Sequence, residues 1–89
     1  MTSDHYRSPK TVEELRVRLA GAIEVNPELI GPDTLFVEDL GAKSINAILV
    51  CLALEEWFGV EVSNDAVWEL VNLRTVVEFL RQKGVSLSD

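Results

Sequence analysis

The sequence predicts an all-α fold: a four-helix bundle of three longer helices and one short one, with a long loop between helices one and two. Three observations predict it. Apolar residues recur at three- and four-residue spacing in separate stretches. These stretches are bracketed by residues that start or stop helices. No stretch sustains the two-residue alternation of a half-buried strand.

The elements follow in order. Residues 1–10 mix polar and charged side chains with Pro9 and are expected to form a flexible N-terminal tail. Thr11-Val-Glu-Glu14 fits a capping box, with Thr11 as cap and Glu14 reaching back. Val12, Leu15, Leu19, Ala22 and Ile23 then form the apolar stripe of helix one. Asn26-Pro27 should end it, because a residue before proline avoids helical geometry. Residues 25–43 form a long connection with a turn at Gly31-Pro32-Asp33 and a short helical turn near Leu29. Leu35, Phe36, Val37 and Leu40 are too apolar for a free loop and are expected to fold back over the core.

Helix two runs from Ser44 to Phe58, and Gly59 ends it. Val60-Glu61-Val62 is a brief extended link. Ser63 or Asn64 caps a short third helix through Leu70. Asn72 caps the fourth, whose stripe is Leu73, Val76, Val77 and Leu80, and Lys83-Gly84 closes it. The expected folded domain spans 11–84, followed by a C-terminal tail at 85–89.

At 89 residues, starting with Met1, the chain reads as one domain with a core of modest extent. Its composition, 47% hydrophobic and 26% charged, is that of a folded protein. A net charge of −7 disfavours nucleic acid and anionic membrane surfaces, which need clustered Lys and Arg. Between Glu24 and Glu69 there are ten acids and one base, Lys43. Either this is simply a solvated surface, or it is an acidic docking face. Cys51 is the single cysteine, so no internal disulfide is possible, which suits a reducing compartment. With no signal-like or membrane-spanning run, a cytoplasmic monomer is expected.

The segment Asp39-Leu-Gly-Ala-Lys-Ser44-Ile-Asn-Ala carries the chemistry. Gly41 and Ala42 are small and allow a tight turn. Ser44 is the cap or first residue of a long helix. Serine is a preferred cap, but a capping box would want Glu or Gln three residues on, where Ala47 stands. A helix start also offers free N–H groups and a positive dipole end, which favour an attached phosphodiester.

From Asp39 to Leu80 the chain resembles the acyl and peptidyl carrier proteins. Gly41-Ala42-Lys43-Ser44-Ile45 stands where that family has a Gly-Ala/Gly-Asp/His-Ser-Leu type motif. Leu54-Glu55-Glu56-Trp57-Phe58-Gly59, the Val60-Glu61-Val62 link and a closing helix over Asn72–Leu80 follow at matching spacing. The resemblance implies a non-enzymatic, stand-alone carrier. Its Ser44 would take 4'-phosphopantetheine from coenzyme A, and the arm's thiol would hold acyl groups as thioesters. It implies a phosphopantetheinyl transferase as partner, together with acyl- or aminoacyl-loading and acyl-processing enzymes. One departure is Lys43, where the family usually has Asp or His. It removes a group expected to help the modifying enzyme, and implies slower modification or a dedicated transferase.

At 100° per residue, Ala47, Val50, Cys51, Leu54 and Phe58 share one face of helix two and are the core candidates. Ile45, Ile48, Leu49 and Leu52 share the opposite face, where a surface helix should be polar. Either the loop covers this strip through Phe36 or Leu40, or the strip docks on partner enzymes. In the second case Lys43 lies beside it, and Glu55, Glu56 and Asp65 form its acidic rim. Leu49 stands where fatty-acid carriers often have Glu. With Lys43, this makes a polyketide, hybrid peptide or aminoacyl pathway the expectation on resemblance. The rival is an unmodified carrier-fold interaction domain that uses the same strip. Cys51 is expected to be a buried small hydrophobe, and Trp57 and Trp68 to support packing. His5 has no second His or Cys for a metal site, and neither a Ser-His-acid set nor a Gly-rich phosphate loop is present.

Overall fold

The computed structural model describes residues 8–89. Thr11 opens helix α1 (Val12–Ile23), its hydroxyl oxygen accepting the Glu14 N–H at 3.0 Å. Only half of the expected capping box forms. The Glu14 carboxylate accepts from the N–H of Lys10 at 2.7 Å, one residue further back than Thr11. Leu15, Leu19, Ala20 and Ile23 are buried, with Val12 and Ala22 partly buried against them.

α1 stops at Ile23, earlier than Asn26-Pro27 would have stopped it. Glu24 adopts the left-handed conformation (φ 61°), and the N–H groups of Glu24 and Val25 both bond the Ala20 carbonyl. Pro27 instead begins a 3₁₀ turn, Pro27–Leu29, capped by the Asn26 side chain. This is the short turn expected near Leu29.

The long connection is anchored as its apolar residues predicted. Phe36 is buried, as is Ile30. The Phe36 N–H bonds the Val71 carbonyl, and the Phe36 carbonyl accepts from Ala42, both at 2.9 Å. Arg74 clamps Asp33 with two bonds of 2.6 and 3.0 Å, and the Arg74 N–H bonds the Pro32 carbonyl. The Arg74 guanidinium lowers the Asp33 pKa below its usual value. Leu35 and Leu40 are half-buried, but Val37 points outward, contrary to expectation.

Helix α2 spans Ser44–Phe58 and packs against α1. Val50, Cys51 and Leu54 are buried on its core face, flanked by half-buried Ala47 and Phe58. Gly59 caps it in the left-handed region (φ 67°), donating to the Glu55 carbonyl at 2.8 Å. A Cβ there would meet open space, so only the backbone resists a side chain. Gly59→Ala is therefore expected to cost about 1 kcal/mol, the left-handed penalty. That corresponds to a fall of roughly 4–8 °C in the thermal midpoint of a domain this size, read by calorimetry.

Helix α3 is one turn, Asn64–Val67, capped by Ser63. It ends three residues before Leu70, which is buried beyond it. Helix α4 (Leu73–Gln82) has a full reciprocal cap: Asn72 accepts the Thr75 N–H at 2.8 Å, and Thr75 accepts the Asn72 N–H at 3.1 Å. Leu73, Val76, Val77 and Leu80 are buried, and Gly84 (φ 91°) follows the Lys83 cap as expected.

Residues 85–89, expected as a tail, are part of the packed unit. Leu87 is buried, and Ser88 forms a parallel bridge with Thr11. Two hydrogen bonds hold it, Val12 N–H to Ser88 O (2.8 Å) and Ser88 N–H to Lys10 O (3.1 Å). Pro9, placed in the N-terminal tail, is also buried. Residues 1–7 of that expected tail, His5 among them, lie outside the described residues.

Candidate functional site: the start of helix α2

Lys43, with extended backbone (φ −93°, ψ 167°), is the cap of α2, and Ser44 is its first helical residue. The Lys43 side chain makes no cap bond, since an ammonium has no acceptor to offer. Asn46 closes the cap from the other side, accepting the Lys43 N–H at 2.9 Å. The capping partner is therefore Asn46 and not the residue at position 47. With Lys43 as cap, the third helical residue is Asn46, and it has the side chain required.

Ser44 is thus relieved of capping. It is exposed, and among the described residues its hydroxyl makes no hydrogen bond. Gly41, with φ 73°, turns the chain just before it, and its N–H bonds the Val37 carbonyl. The first turn of α2 carries no acid. By helix geometry the N–H groups of Ser44 and Ile45 point out of the helix end, where an anion on Ser44 would meet them.

Ser44 also lines a mainly apolar cleft between the loop, α2 and the α3–α4 link, together with Phe36, Ala47, Val50, Leu70 and Val71. The loop does not cover the strip on α2. Ile45 is 57% exposed and Leu52 55%, and Ile48 and Leu49 are exposed between them. At 1.5 Å per residue the strip reaches about 12 Å from Ser44.

Its expected acidic rim is only partly assembled. Glu56 is exposed on the same face, one to two turns beyond Leu49 and Leu52. Glu55 is half-buried and accepts the Val62 N–H at 2.9 Å, so it pins the link after α2. Asp65 is exposed, but on α3.

Sequence reasoning missed a second apolar group. Trp68 is 73% exposed, and it borders the same cleft as exposed Val37 and Val71. Trp68 was expected to pack, but α3 ends before it and the following turn presents it outward. Trp57 does pack: it is half-buried with the Arg18 guanidinium 5.6 Å from its ring centre. Cys51 is buried, and burial, helped by nearby Glu55, raises its thiol pKa. It is therefore a packing residue, not a thiolate nucleophile. Among the described residues no His/Cys/Asp/Glu group is placed to hold a metal, and no helix is long and apolar enough to cross a membrane.

A packed bundle that presents one uncommitted hydroxyl at a helix start, beside an apolar cleft and an exposed apolar strip, is the architecture of a carrier. Such a scaffold displays a covalently attached group to other proteins. Comparison with known proteins leads to the same class. The profile of the family described as "Phosphopantetheine attachment site" matches residues 13–80. An acyl carrier protein of Thermosynechococcus vestitus is 33% identical over 72 residues, 81% of this chain and 89% of that one. Acyl carrier proteins of Helicobacter pylori (strain G27; 34% identical, 83% and 95% covered) and Guillardia theta (31%, 80% and 88%) are similar to it too. The chain belongs to the acyl carrier protein family. It is a non-catalytic module serving other enzymes, and its prosthetic group is 4'-phosphopantetheine.

The start of α2 fits that group. The hydroxyl is free, the preceding turn is open, and no acid in the first turn would repel a phosphodiester. When bound, the group supplies a thiol at the end of a flexible arm, able to hold acyl groups as thioesters.

Proposed function

We propose that Ser44 is the residue that bears the arm. One observation carries this. The family match spans residues 13–80, and that stretch holds two serines, Ser44 and Ser63. Ser63 spends its oxygen on capping α3, whereas Ser44 is exposed at the first turn of the long helix. In the transfer, Ser44 Oγ bonds to the phosphorus that carries pantetheine in coenzyme A. The bond from that phosphorus to the adenosine bisphosphate breaks, and the serine proton passes to a base of the transferase. Intact mass after incubation with coenzyme A and a broad-specificity phosphopantetheinyl transferase tests it. A gain of one arm supports the carrier reading. An unchanged mass with several transferases overturns it in favour of an unmodified interaction domain.

Ile45, Ile48, Leu49 and Leu52, with Lys43 at one end and Glu56 at the other, serve as the docking surface for loading and acyl-processing enzymes. Glu55 and Asp65 contribute charge at its edge. An exposed apolar strip with charged margins is how transient interfaces are built. Leu49→Glu is expected to leave the thermal midpoint unchanged, because the side chain is exposed. It should lower kcat/KM for transfer to a cognate enzyme roughly tenfold, the cost of losing an apolar contact residue. Unfolding instead would place Leu49 in the core.

The uncharged first eleven residues of α2 and Lys43 favour a polyketide, hybrid peptide or aminoacyl pathway over fatty acid synthesis. Loading by a fatty-acid malonyl transferase as fast as a housekeeping carrier would reverse that choice. The one cysteine, buried Cys51, suits a monomer working in a reducing cytoplasm.

A further inference from the structure

Lys43 sits badly in the unmodified protein. The cap position favours Ser, Thr, Asp or Asn, whose oxygens satisfy first-turn N–H groups. Lys43 offers none, and it adds a cation to the positive end of a 15-residue helix whose first turn has no acid to offset it. It is exposed, and among the described residues it makes no ion pair. The nearest acids along the chain do not relieve it. Asp39 accepts the Leu35 N–H at 2.9 Å, and Glu38 is exposed at the cleft it shares with Ser44, with no ion pair to Lys43. A cation at a helix start with no compensating charge among the described residues points to a compensation from outside them.

If Ser44 bears the arm, that compensation is covalent and adjacent. The arm begins with a phosphodiester, one negative charge bonded directly to Ser44 Oγ. It lies between the unpartnered N–H groups of the first turn and the Lys43 ammonium, whose four-carbon stem spans the distance to the next residue's side chain. We propose that Lys43 is a positioning residue for the prosthetic group: its ammonium pairs with the phosphodiester and restrains the root of the arm at the helix start. Modification then converts Lys43 from a destabilising residue into a stabilising one. This inference rests on the attachment of the arm at Ser44.

The test reads stability, not transfer. Wild type, Lys43→Gln and Lys43→Arg are compared before and after modification, with intact mass confirming complete conversion, and Lys83→Gln serves as a remote control. Before modification, Lys43→Gln should raise the thermal midpoint by roughly 2–5 °C at low salt, because a cation leaves the helix start. After modification, the same substitution should lower it by a similar amount. Lys43→Arg should follow wild type in both states, and 1 M salt should shrink both differences. The ³¹P resonance of the arm should shift in Lys43→Gln and not in Lys83→Gln. A Lys43→Gln effect of the same sign and size in both states, with an unmoved ³¹P resonance, overturns the pairing while leaving the attachment intact. An unchanged mass overturns the attachment, and the pairing with it.

Discussion

Phe36→Ala is expected to lower the unfolding free energy by about 3–5 kcal/mol, the usual range for deleting a buried phenyl ring. Phe36 is 6% exposed, and it is the one aromatic residue that the loop before α2 sends into the core. Its backbone bonds Val71 on one side and Ala42 on the other, so the ring and the main chain pin the loop at the same point. A domain of this size has a total stability of about 5–15 kcal/mol, so the loss is a large fraction of the whole. Urea unfolding reads it as a fall in midpoint with the slope unchanged. The effect should also reach the site, because Phe36 lines the cleft shared with Ser44. A loss below about 1 kcal/mol would mean that the loop lies on the core without being part of it.

Ser44→Ala is expected to do the opposite, removing function without touching the fold. The hydroxyl makes no bond within the described structure, and the cap is held by Lys43 and Asn46. Alanine is a better helix former than serine by a few tenths of a kcal/mol, so stability should stay within about 0.5 kcal/mol of wild type. Acceptance of the arm should be lost completely, since no neighbouring hydroxyl can substitute.

Much of this arrangement was legible in the sequence because the signals were local. Thr11, Asn72, Ser63 and Gly59 each announce a helix end by their own chemistry, and each does so in the structure. The α2 strip was visible from spacing alone; its exposure was not, because that depended on where a nineteen-residue connection would lie. The misses share a cause. Glu24 ends α1 in a conformation that its side chain does not advertise. Lys43 caps α2 without a capping side chain, which shifted the cap register by one residue and hid Asn46. Leu87 joins the core through a two-bond bridge to the start of α1, a pairing between chain ends that no local pattern encodes. Trp68 is exposed because α3 is one turn long. A large aromatic residue in an apolar neighbourhood reads as core until the helix boundary is known.

The central claim is that one serine of six bears the arm. Ser63 is held in a cap, the Ser8 hydroxyl donates to the Trp57 carbonyl, and Ser88 lies in the bridge to Thr11. The most direct measurement is proteolytic fragment mass mapping of the chain after complete modification with coenzyme A and a phosphopantetheinyl transferase. The expected result is one arm per chain, carried on Ser44 in the fragment from that region, and no addition to Ser44→Ala. An arm on a fragment lacking Ser44, or on Ser44→Ala, would contradict it.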